Sequence, residues 1–133
     1  MRGAIVARRA NSGDREALRS LDTRTASAPI EQLWVAHRDA KLVGFAVLVD
    51  HFFGRPFVEL LVVAEDARRS GVGTALLAAI EDAIAGDRLF TSTNESNAPM
   101  RALLAKVGWI LSGRIENLDA GDPELVFVKL LRR

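Results

Sequence analysis

Residues 57–83 read FVELLVVAEDARRSGVGTALLAAIEDA and contain the change of pattern that decides the fold. Residues 57–64 are almost entirely apolar, which predicts a strand that is buried on both faces. From Val72 onward, apolar side chains recur with the i, i+3, i+4, i+7 spacing of an amphipathic helix. Gly71 and Gly73 lie at the junction between the two patterns. The stretch therefore predicts a strand, a glycine-rich loop and a helix in succession.

The sequence on either side of this stretch predicts further elements in the order β-α-β-β-β-α-β-α-β-β. Consecutive strands in the middle favour antiparallel pairing, and the strand–helix–strand unit favours local parallel pairing. We therefore expect one α+β domain, residues 1–133, with a mixed, mostly antiparallel sheet of six to seven strands and helices on both faces. The other strands are predicted at 5–10, 33–37, 42–49, 89–93, 109–118 and 124–131, and residues 52–56 are predicted to be a connection.

Composition excludes several classes of protein. A chain of 133 residues suits a single core. A net charge of +1, with no run of five like charges, gives no reason to expect nucleic acid as a partner. The chain has no cysteine and two histidines, so no metal site is predicted. No stretch reaches 18 apolar residues and the N-terminus lacks a signal-peptide pattern, so we expect a cytoplasmic protein that does not enter a membrane.

The loop at residues 68–74, RRSGVGT, has the features of a phosphate site. A helix N-terminus exposes free N–H groups, and glycines let an anion approach the backbone closely. Arg68 and Arg69 add positive charge, and Thr74 adds a hydroxyl group. A P-loop would need a lysine before Thr74, and the dinucleotide fingerprint would need a glycine where Leu76 stands. The alternative interpretation is a glycine-rich turn with two solvated arginines.

The motif RxxGxG at 68–73, followed by Ala-Leu-Leu at 75–77, resembles the pyrophosphate signature of the GNAT superfamily of acyl-CoA-dependent N-acyltransferases. Residues 97–109, NAPMRALLAKVGW, resemble that superfamily's later helix, which begins near an asparagine and ends in Lys-x-Gly-Phe. The resemblance covers most of the chain. It implies acetyl-CoA as the cofactor and transfer of an acetyl group to a primary amine of a small molecule or peptide.

The resemblance also implies a set of cofactor-binding residues. The strand before the glycine loop would offer backbone N–H groups to the cofactor, with Val63 as the main donor to the oxyanion. Asn97 would contact the pantetheine arm or the phosphates, and an N-cap role for it is an equal and compatible interpretation. The full set is Leu61, Val62, Val63, Arg68, Arg69, Ser70, Gly71, Val72, Gly73, Thr74 and Asn97.

Glu59 is the candidate general base, because it interrupts the apolar strand. Partial burial would raise its affinity for a proton, as a base acting through water needs. The alternatives are a frayed strand end and an ion pair with an arginine. The residue that the family pattern would supply as general acid is missing. Leu104 stands where many members have tyrosine, and the chain has no tyrosine at all. Ser92 and Ser96 are weak alternatives.

The acceptor is not identified by the sequence. Two other functions stay open: an acyl-CoA-binding module without catalysis, and an acetyltransferase for protein N-termini or lysines. An acidic group around the last turn, Glu116, Asp119, Asp122 and Glu124, could attract a cationic amine, although a solvated turn is the favoured interpretation. The connection at 23–29 suggests an open acceptor groove, and the closing strands could pair across a homodimer.

Overall fold

The structure, a computed structural model, describes residues 3–23 and 28–132. Its elements follow the predicted order. In chain order they are β1 (Ile5–Arg9), α1 (Arg15–Leu21), β2 (Leu33–Arg38), β3 (Lys41–Phe52), β4 (Arg55–Val63), α2 (Val72–Ala83), β5 (Arg88–Asn94), α3 (Ala98–Lys106), β6 (Ile110–Ile115) and β7 (Glu124–Leu130). Short 3-10 turns precede α1, β2 and α2 at Ser12–Asp14, Ile30–Gln32 and Glu65–Ala67.

The strands form a mixed sheet in the order β1-β2-β3-β4-β5-β7-β6. The β1–β2, β2–β3, β5–β7 and β6–β7 pairs are antiparallel. The β4–β5 pair is parallel, and its register joins Phe57 to Phe90 and Val58 to Thr91. Parallel strands require a long crossover connection, which α2 provides here. The predicted α+β fold with a mostly antiparallel, seven-stranded sheet is confirmed.

The described residues divide into two compact units. The first comprises the chain up to Leu48 together with Leu60–Ala83, and the second comprises Val49–Glu59 together with the chain from Ile84 onward. Strands β3 and β4 each contribute residues to both units. No described helix is both long enough and apolar enough to cross a membrane.

In the first unit, α2 packs closely on a sheet face made of small residues. Gly44 on β3 pairs with Ala36 on β2, which pairs in turn with Ala7 on β1. A Cβ atom on Gly44 would lie 2.6 Å from Cγ1 of Val72 and 2.8 Å from the carbonyl oxygen of Val62. Such distances leave no room for a side chain, so glycine at position 44 allows the first turn of α2 to approach the strand.

In the second unit, burial alternates along β5. Leu89, Thr91 and Thr93 are buried, whereas Phe90 and Ser92 are only half-buried. The buried Thr91 hydroxyl donates a hydrogen bond of 2.8 Å to the carbonyl of Val58. Side chains of successive strand residues point to opposite faces, so one face of this unit's sheet is covered more fully than the other.

Two predictions about β4 are wrong. The strand was expected to be buried on both faces, but Val58 is its one buried residue and Glu59 is exposed. Residues 52–56 were expected to form a connection, but the turn consists of Phe53 and Gly54 alone, with φ values of 52° and 76°. Positive φ at both central residues matches the right-handed twist of a tight hairpin, so β3 and β4 extend to the turn on either side.

Candidate active site

The loop between β4 and α2 holds the predicted phosphate-binding residues. Arg69 has a φ of 63° and Gly71 a φ of 90°, so the chain passes twice through the left-handed region before the helix begins. The Ser70 hydroxyl donates a hydrogen bond to the carbonyl of Ala67 and closes the preceding turn. A Cβ on Gly71 would meet no atom within 4 Å. Backbone conformation and not crowding therefore favours glycine at position 71.

The first turn of α2 presents unpaired backbone donors. The N–H of Ala75 donates to the carbonyl of Gly71 at 3.0 Å, which is the first α-helical hydrogen bond. The N–H groups of Val72, Gly73 and Thr74 precede it and have no partner within the helix. Gly71 and Thr74 are exposed, so an anion can reach this turn from solvent.

Positive charge surrounds these donors. Arg68 and Arg69 are both exposed, and neither guanidinium makes a hydrogen bond or ion pair within residues 3–23 and 28–132. The nearby acidic residue Asp66 pairs with Lys41 at 2.5 Å. Free N–H groups at a helix start, beside two arginines that no carboxylate neutralises, fit a diphosphate group.

The end of β4 presents a second set of donors. The N–H of Ala64 donates to the carbonyl of Val43 on β3 at 2.8 Å. Backbone groups of successive strand residues point to alternate sides, so the N–H groups of Val63 and Leu61 point away from β3. The Val62 carbonyl lies close to Gly44 on β3, in agreement with this alternation. Of the three predicted residues, Val63 and Leu61 thus have N–H groups directed away from the β3 ladder.

Glu59 lies on β4 four residues before Val63. Its side chain is exposed, so the partial burial expected from the sequence is wrong. The physical reason is that Phe57 and Leu61, its neighbours on the same face of β4, are themselves only half-buried, which leaves the carboxylate in contact with water. In the described part of the chain Glu59 makes no ion pair with an arginine, so that alternative is not observed.

Sequence comparison identifies the family to which this site belongs. The sequence profile of the Acetyltransferase (GNAT) family matches residues 7–109 of the chain. This chain is a GNAT acetyltransferase. It uses acetyl-CoA for acetyl transfer, as the family does. No curated protein matches the chain in sequence.

Solved structures agree with this assignment. A GNAT-family acetyltransferase from Bacillus cereus is 28% identical, with a TM-score of 0.92 over 98% of this chain and 100% of that one. The ribosomal-protein-S18-alanine N-acetyltransferase of Escherichia coli shares the fold, with 17% identity and a TM-score of 0.82 over 98% and 96% of the two chains. The yncA protein of Salmonella typhimurium, solved with acetyl-CoA, has 14% identity and a TM-score of 0.78 over 98% and 96%.

Asn97 of this acetyltransferase caps helix α3. Its Oδ1 atom accepts a hydrogen bond of 3.2 Å from the N–H of Met100, so the N-cap interpretation is confirmed. The side chain is exposed. A contact with the cofactor through the amide nitrogen is compatible with this cap and stays a prediction.

The position of the family's tyrosine is part of the core in this acetyltransferase. Leu104 has 0% of its surface exposed. The Ser96 hydroxyl donates to Oδ2 of Asp122 at 2.5 Å, so this candidate acid serves a loop contact. Ser92 is half-buried on β5. Leu104 itself therefore supplies no group that could protonate the departing thiolate.

The acidic group around the β6–β7 turn holds neighbouring loops together. Asp119 accepts a hydrogen bond of 2.9 Å from the Asn94 amide. Asp122 accepts two from Ser96. Glu116 accepts one from Arg114, and this bond raises the pKa of the Arg114 guanidinium above its ordinary value. These contacts favour a structural role over recognition of a cationic acceptor.

Two ring side chains of the first unit have structural contacts. His37 lies with Nδ1 3.0 Å from the carbonyl of Asp39, which fits a structural histidine. Trp34 is buried, with the Arg9 guanidinium 4.7 Å above its ring. Most of the 23–29 connection, residues 24–27, lies outside the described residues, so the open groove stays a prediction.

Sequence reasoning missed two structural features of the first unit. Gly44 fixes how closely α2 approaches the sheet, and its signal was a lone glycine within an apolar strand. Asp14 receives two hydrogen bonds from Arg8, at 2.9 and 3.0 Å, and joins β1 to the start of α1. These bonds hold the pKa of the Asp14 carboxyl below its usual value. The sequence offered no signal for that pair beyond the spacing of six residues.

Proposed function

We propose that this enzyme, as one domain over residues 1–133, transfers the acetyl group of acetyl-CoA to the primary amine of a small molecule or peptide. The observation that carries the proposal is the loop at 68–74. There, N–H groups without a partner inside the helix lie beside two exposed arginines, and neither arginine pairs with a carboxylate in the described part of the chain. Such a site suits the diphosphate of coenzyme A.

The cofactor-binding residues contact different parts of coenzyme A in this proposal. Arg68 and Arg69 pair with phosphate oxygens, which suits their planar, bidentate donors. The backbone of residues 70–74 donates N–H groups to the same oxygens. The backbone of residues 61–63 runs beside the pantetheine arm, and Asn97 adds an amide contact. Bound acetyl-CoA supplies an acetyl group activated as a thioester.

Attack on the thioester needs a neutral amine and a group that accepts the proton of the amine. Glu59 accepts that proton through a water molecule, which suits its exposed position. The N–H of Val63 donates to the carbonyl oxygen as negative charge develops on it. A new C–N bond forms and the C–S bond breaks. The sulfur departs as a thiolate, which water protonates, because a thiol is acidic enough to leave without a tyrosine.

Two alternatives differ in acceptor and in catalysis. The Escherichia coli protein of the same fold is named for an alanine of a ribosomal protein, which makes a protein N-terminus or lysine the second candidate acceptor. The buried Leu104 removes the usual acid and favours a domain that binds acyl-CoA with slow or no turnover. Intact mass of candidate protein acceptors tests the first alternative.

We also propose a cytoplasmic location, where acetyl-CoA is formed and used, and a homodimer. The dimer rests on β6, which lies at one end of the strand order. Its apolar residues Ile110, Leu111 and Ile115 are all exposed. Exposed apolar edge strands promote pairing with another chain. Sedimentation equilibrium tests this: a monomer at all concentrations up to the millimolar range would contradict it.

Thiol release from acetyl-CoA with a panel of primary amines tests the proposed reaction. Glu59→Gln should lower kcat/KM by about 10²–10⁴-fold, the usual contribution of a general base. The matched control is Glu31→Gln, at an exposed glutamate of a 3-10 turn, which should leave kcat/KM unchanged. Full turnover by Glu59→Gln at saturating acceptor across the pH range would show that another group takes the proton.

A further inference from the structure

In the second unit, α3 packs on one face of the sheet, and we call the opposite face, which α3 does not cover, the open face. Lys129 on β7 donates a hydrogen bond to the Val107 carbonyl at the end of α3, so α3 lies on the face to which Lys129 points. Residues of even number on β7 point to the opposite face. Val128 pairs with Phe90 on β5, which pairs with Phe57 on β4, so all three share this second face.

Aromatic side chains cluster on this open face. The Phe52 ring stacks on Phe57 with centroids 4.6 Å apart and lies 5.3 Å from Phe90. Phe53 contacts Phe52 edge-to-face at 5.1 Å. Phe57 and Phe90 are half-buried and Phe53 is 90% exposed. The four rings form a continuous apolar track from the tip of the β3–β4 hairpin to the middle of β4.

Phe53 is an unexpected residue for its position. Its φ of 52° lies in the left-handed region, where glycine and asparagine are favoured and large side chains are rare. The side chain packs against one ring and is otherwise in solvent. Neither the turn nor the core thus requires phenylalanine at this position. Residues held in sparsely populated backbone conformations cluster at functional sites, which makes Phe53 a candidate for a ligand contact.

The track ends beside the proposed base. Glu59 follows Phe57 by two residues on β4, so it lies on the same face about 7 Å further along the strand. At the other end, Arg55 and Arg88 share one carboxylate, Asp87, at 3.9 and 3.6 Å. A carboxylate therefore lies at one end of the aromatic track, and an excess of positive charge, the arginine rim, lies at the other.

We propose that this open face is the acceptor subsite, and that the acceptor is a primary amine whose nitrogen is joined by a short chain to an aromatic ring. This inference rests on the proposed function, because it takes Glu59 as the base. The carboxylate attracts the ammonium group before its deprotonation, and the rings of Phe57 and Phe90 contact the aromatic group. The arginine rim disfavours an acceptor with a second ammonium group, such as a polyamine.

Acceptor kinetics with three amines test the inference. The enzyme should use 2-phenylethylamine with a kcat/KM at least about tenfold above that of ethylamine, since an apolar contact of this size discriminates by such a factor. The same preference should hold over 1,4-diaminobutane. Phe57→Ala should lower the ratio of kcat/KM for 2-phenylethylamine to kcat/KM for ethylamine by about tenfold.

A second variant, Phe53→Asn, tests the inference even if Phe57→Ala does not fold. Phe53→Asn suits the left-handed φ and removes an exposed ring, so it should fold at least as stably as the parent. It should still lower the same ratio of kcat/KM values, by a smaller factor of about threefold. Unfolding in urea confirms that both variants are folded under the assay conditions.

Calorimetry with acetyl-CoA separates failure of this inference from failure of the proposed function. Acetyl-CoA should bind the parent, Phe57→Ala and Phe53→Asn equally. If acetyl-CoA binds but the amines are used equally, or the variants keep the parent's selectivity, the aromatic subsite is wrong and the transferase proposal stands. If acetyl-CoA does not bind at all, the proposed function is wrong, and the acceptor subsite that depends on it is wrong as well.

Discussion

Leu104 stands at the position where the family pattern has a tyrosine, and its side chain is wholly buried. The sequence predicted the loss of an acid but not the burial, because position within a motif does not report packing. A core site filled by leucine has no space for a phenol ring, and its hydroxyl would need a partner.

Leu104→Tyr should therefore not create a catalytic acid. We expect a loss of about 1–3 kcal/mol in the free energy of unfolding, from overpacking, and no increase in kcat at any pH. Urea unfolding and thiol release measure the two effects. A variant that is as stable as the parent and faster would show that position 104 can reach the reacting atoms.

Asp14 gives the enzyme a stability that depends on pH. The Arg8 hydrogen bonds hold the pKa of Asp14 below its ordinary value of 3.8. The contribution is complete above the pKa of the unfolded chain and is lost as the pH falls through the lower, folded value. Asp14→Asn should cost about 1 kcal/mol at pH 7. It should also flatten the fall of stability between about pH 5 and pH 2.

Urea titrations of the parent and Asp14→Asn at a series of pH values test this. The matched control is Asp82→Asn. Asp82 lies on α2, and no hydrogen bond or ion pair is seen for its side chain in residues 3–23 and 28–132. A parallel pH dependence in the parent and Asp14→Asn would mean that the Arg8–Asp14 pair adds no net stability.

At the level of elements, Gly44 determines the closeness of α2 to β3. Gly44→Ala would bring a Cβ to 2.8 Å from the backbone oxygen of Val62, which cannot move aside without shifting β4. We expect a loss of about 1–3 kcal/mol in unfolding free energy and weaker acetyl-CoA binding, because the shifted strand adjoins the cofactor residues.

Gly113→Ala is the matched control for Gly44→Ala. Gly113 lies on edge strand β6, and a Cβ there would meet only Cβ of Val126, at an ordinary 4.0 Å. Its unfolding free energy should stay within about 0.5 kcal/mol of the parent. Equal stability of the two variants would show that the sheet relaxes around position 44.

The elements also show where sequence reasoning works. The change from a strand period to a helix period at residues 57–83 predicted β4 and α2, because burial of an apolar face leaves a periodic pattern. The tight turn at Phe53 was missed, since phenylalanine is not a residue that such turns favour. The exposure of Glu59 was missed because an apolar run reports composition and not the cover supplied by distant elements.

At the scale of the whole molecule, the order of elements and the mixed sheet followed from the sequence, whereas the acceptor did not. The fold and the predicted cofactor loop depend on local patterns, and such patterns can be read from a single sequence. The proposed acceptor face is assembled from β3, β4 and β5, and no local pattern in one strand specifies its neighbours. The aromatic track became visible only when the register of β4 with β5 was known.

Titration of the purified protein with acetyl-CoA tests the central claim, that the loop at 68–74 holds the cofactor's diphosphate. Three proteins are compared by calorimetry: the parent, Arg68→Ala/Arg69→Ala, and Arg19→Ala/Arg132→Ala. The last removes two exposed arginines elsewhere and keeps the same net charge as the loop variant. Charge-assisted hydrogen bonds contribute about 1.5–3 kcal/mol each.

The account predicts micromolar binding by the parent, binding by the Arg19→Ala/Arg132→Ala control within about threefold of it, and at least about 10²-fold weaker binding by Arg68→Ala/Arg69→Ala. Equal affinity of the two double variants would place the diphosphate elsewhere and contradict the claim.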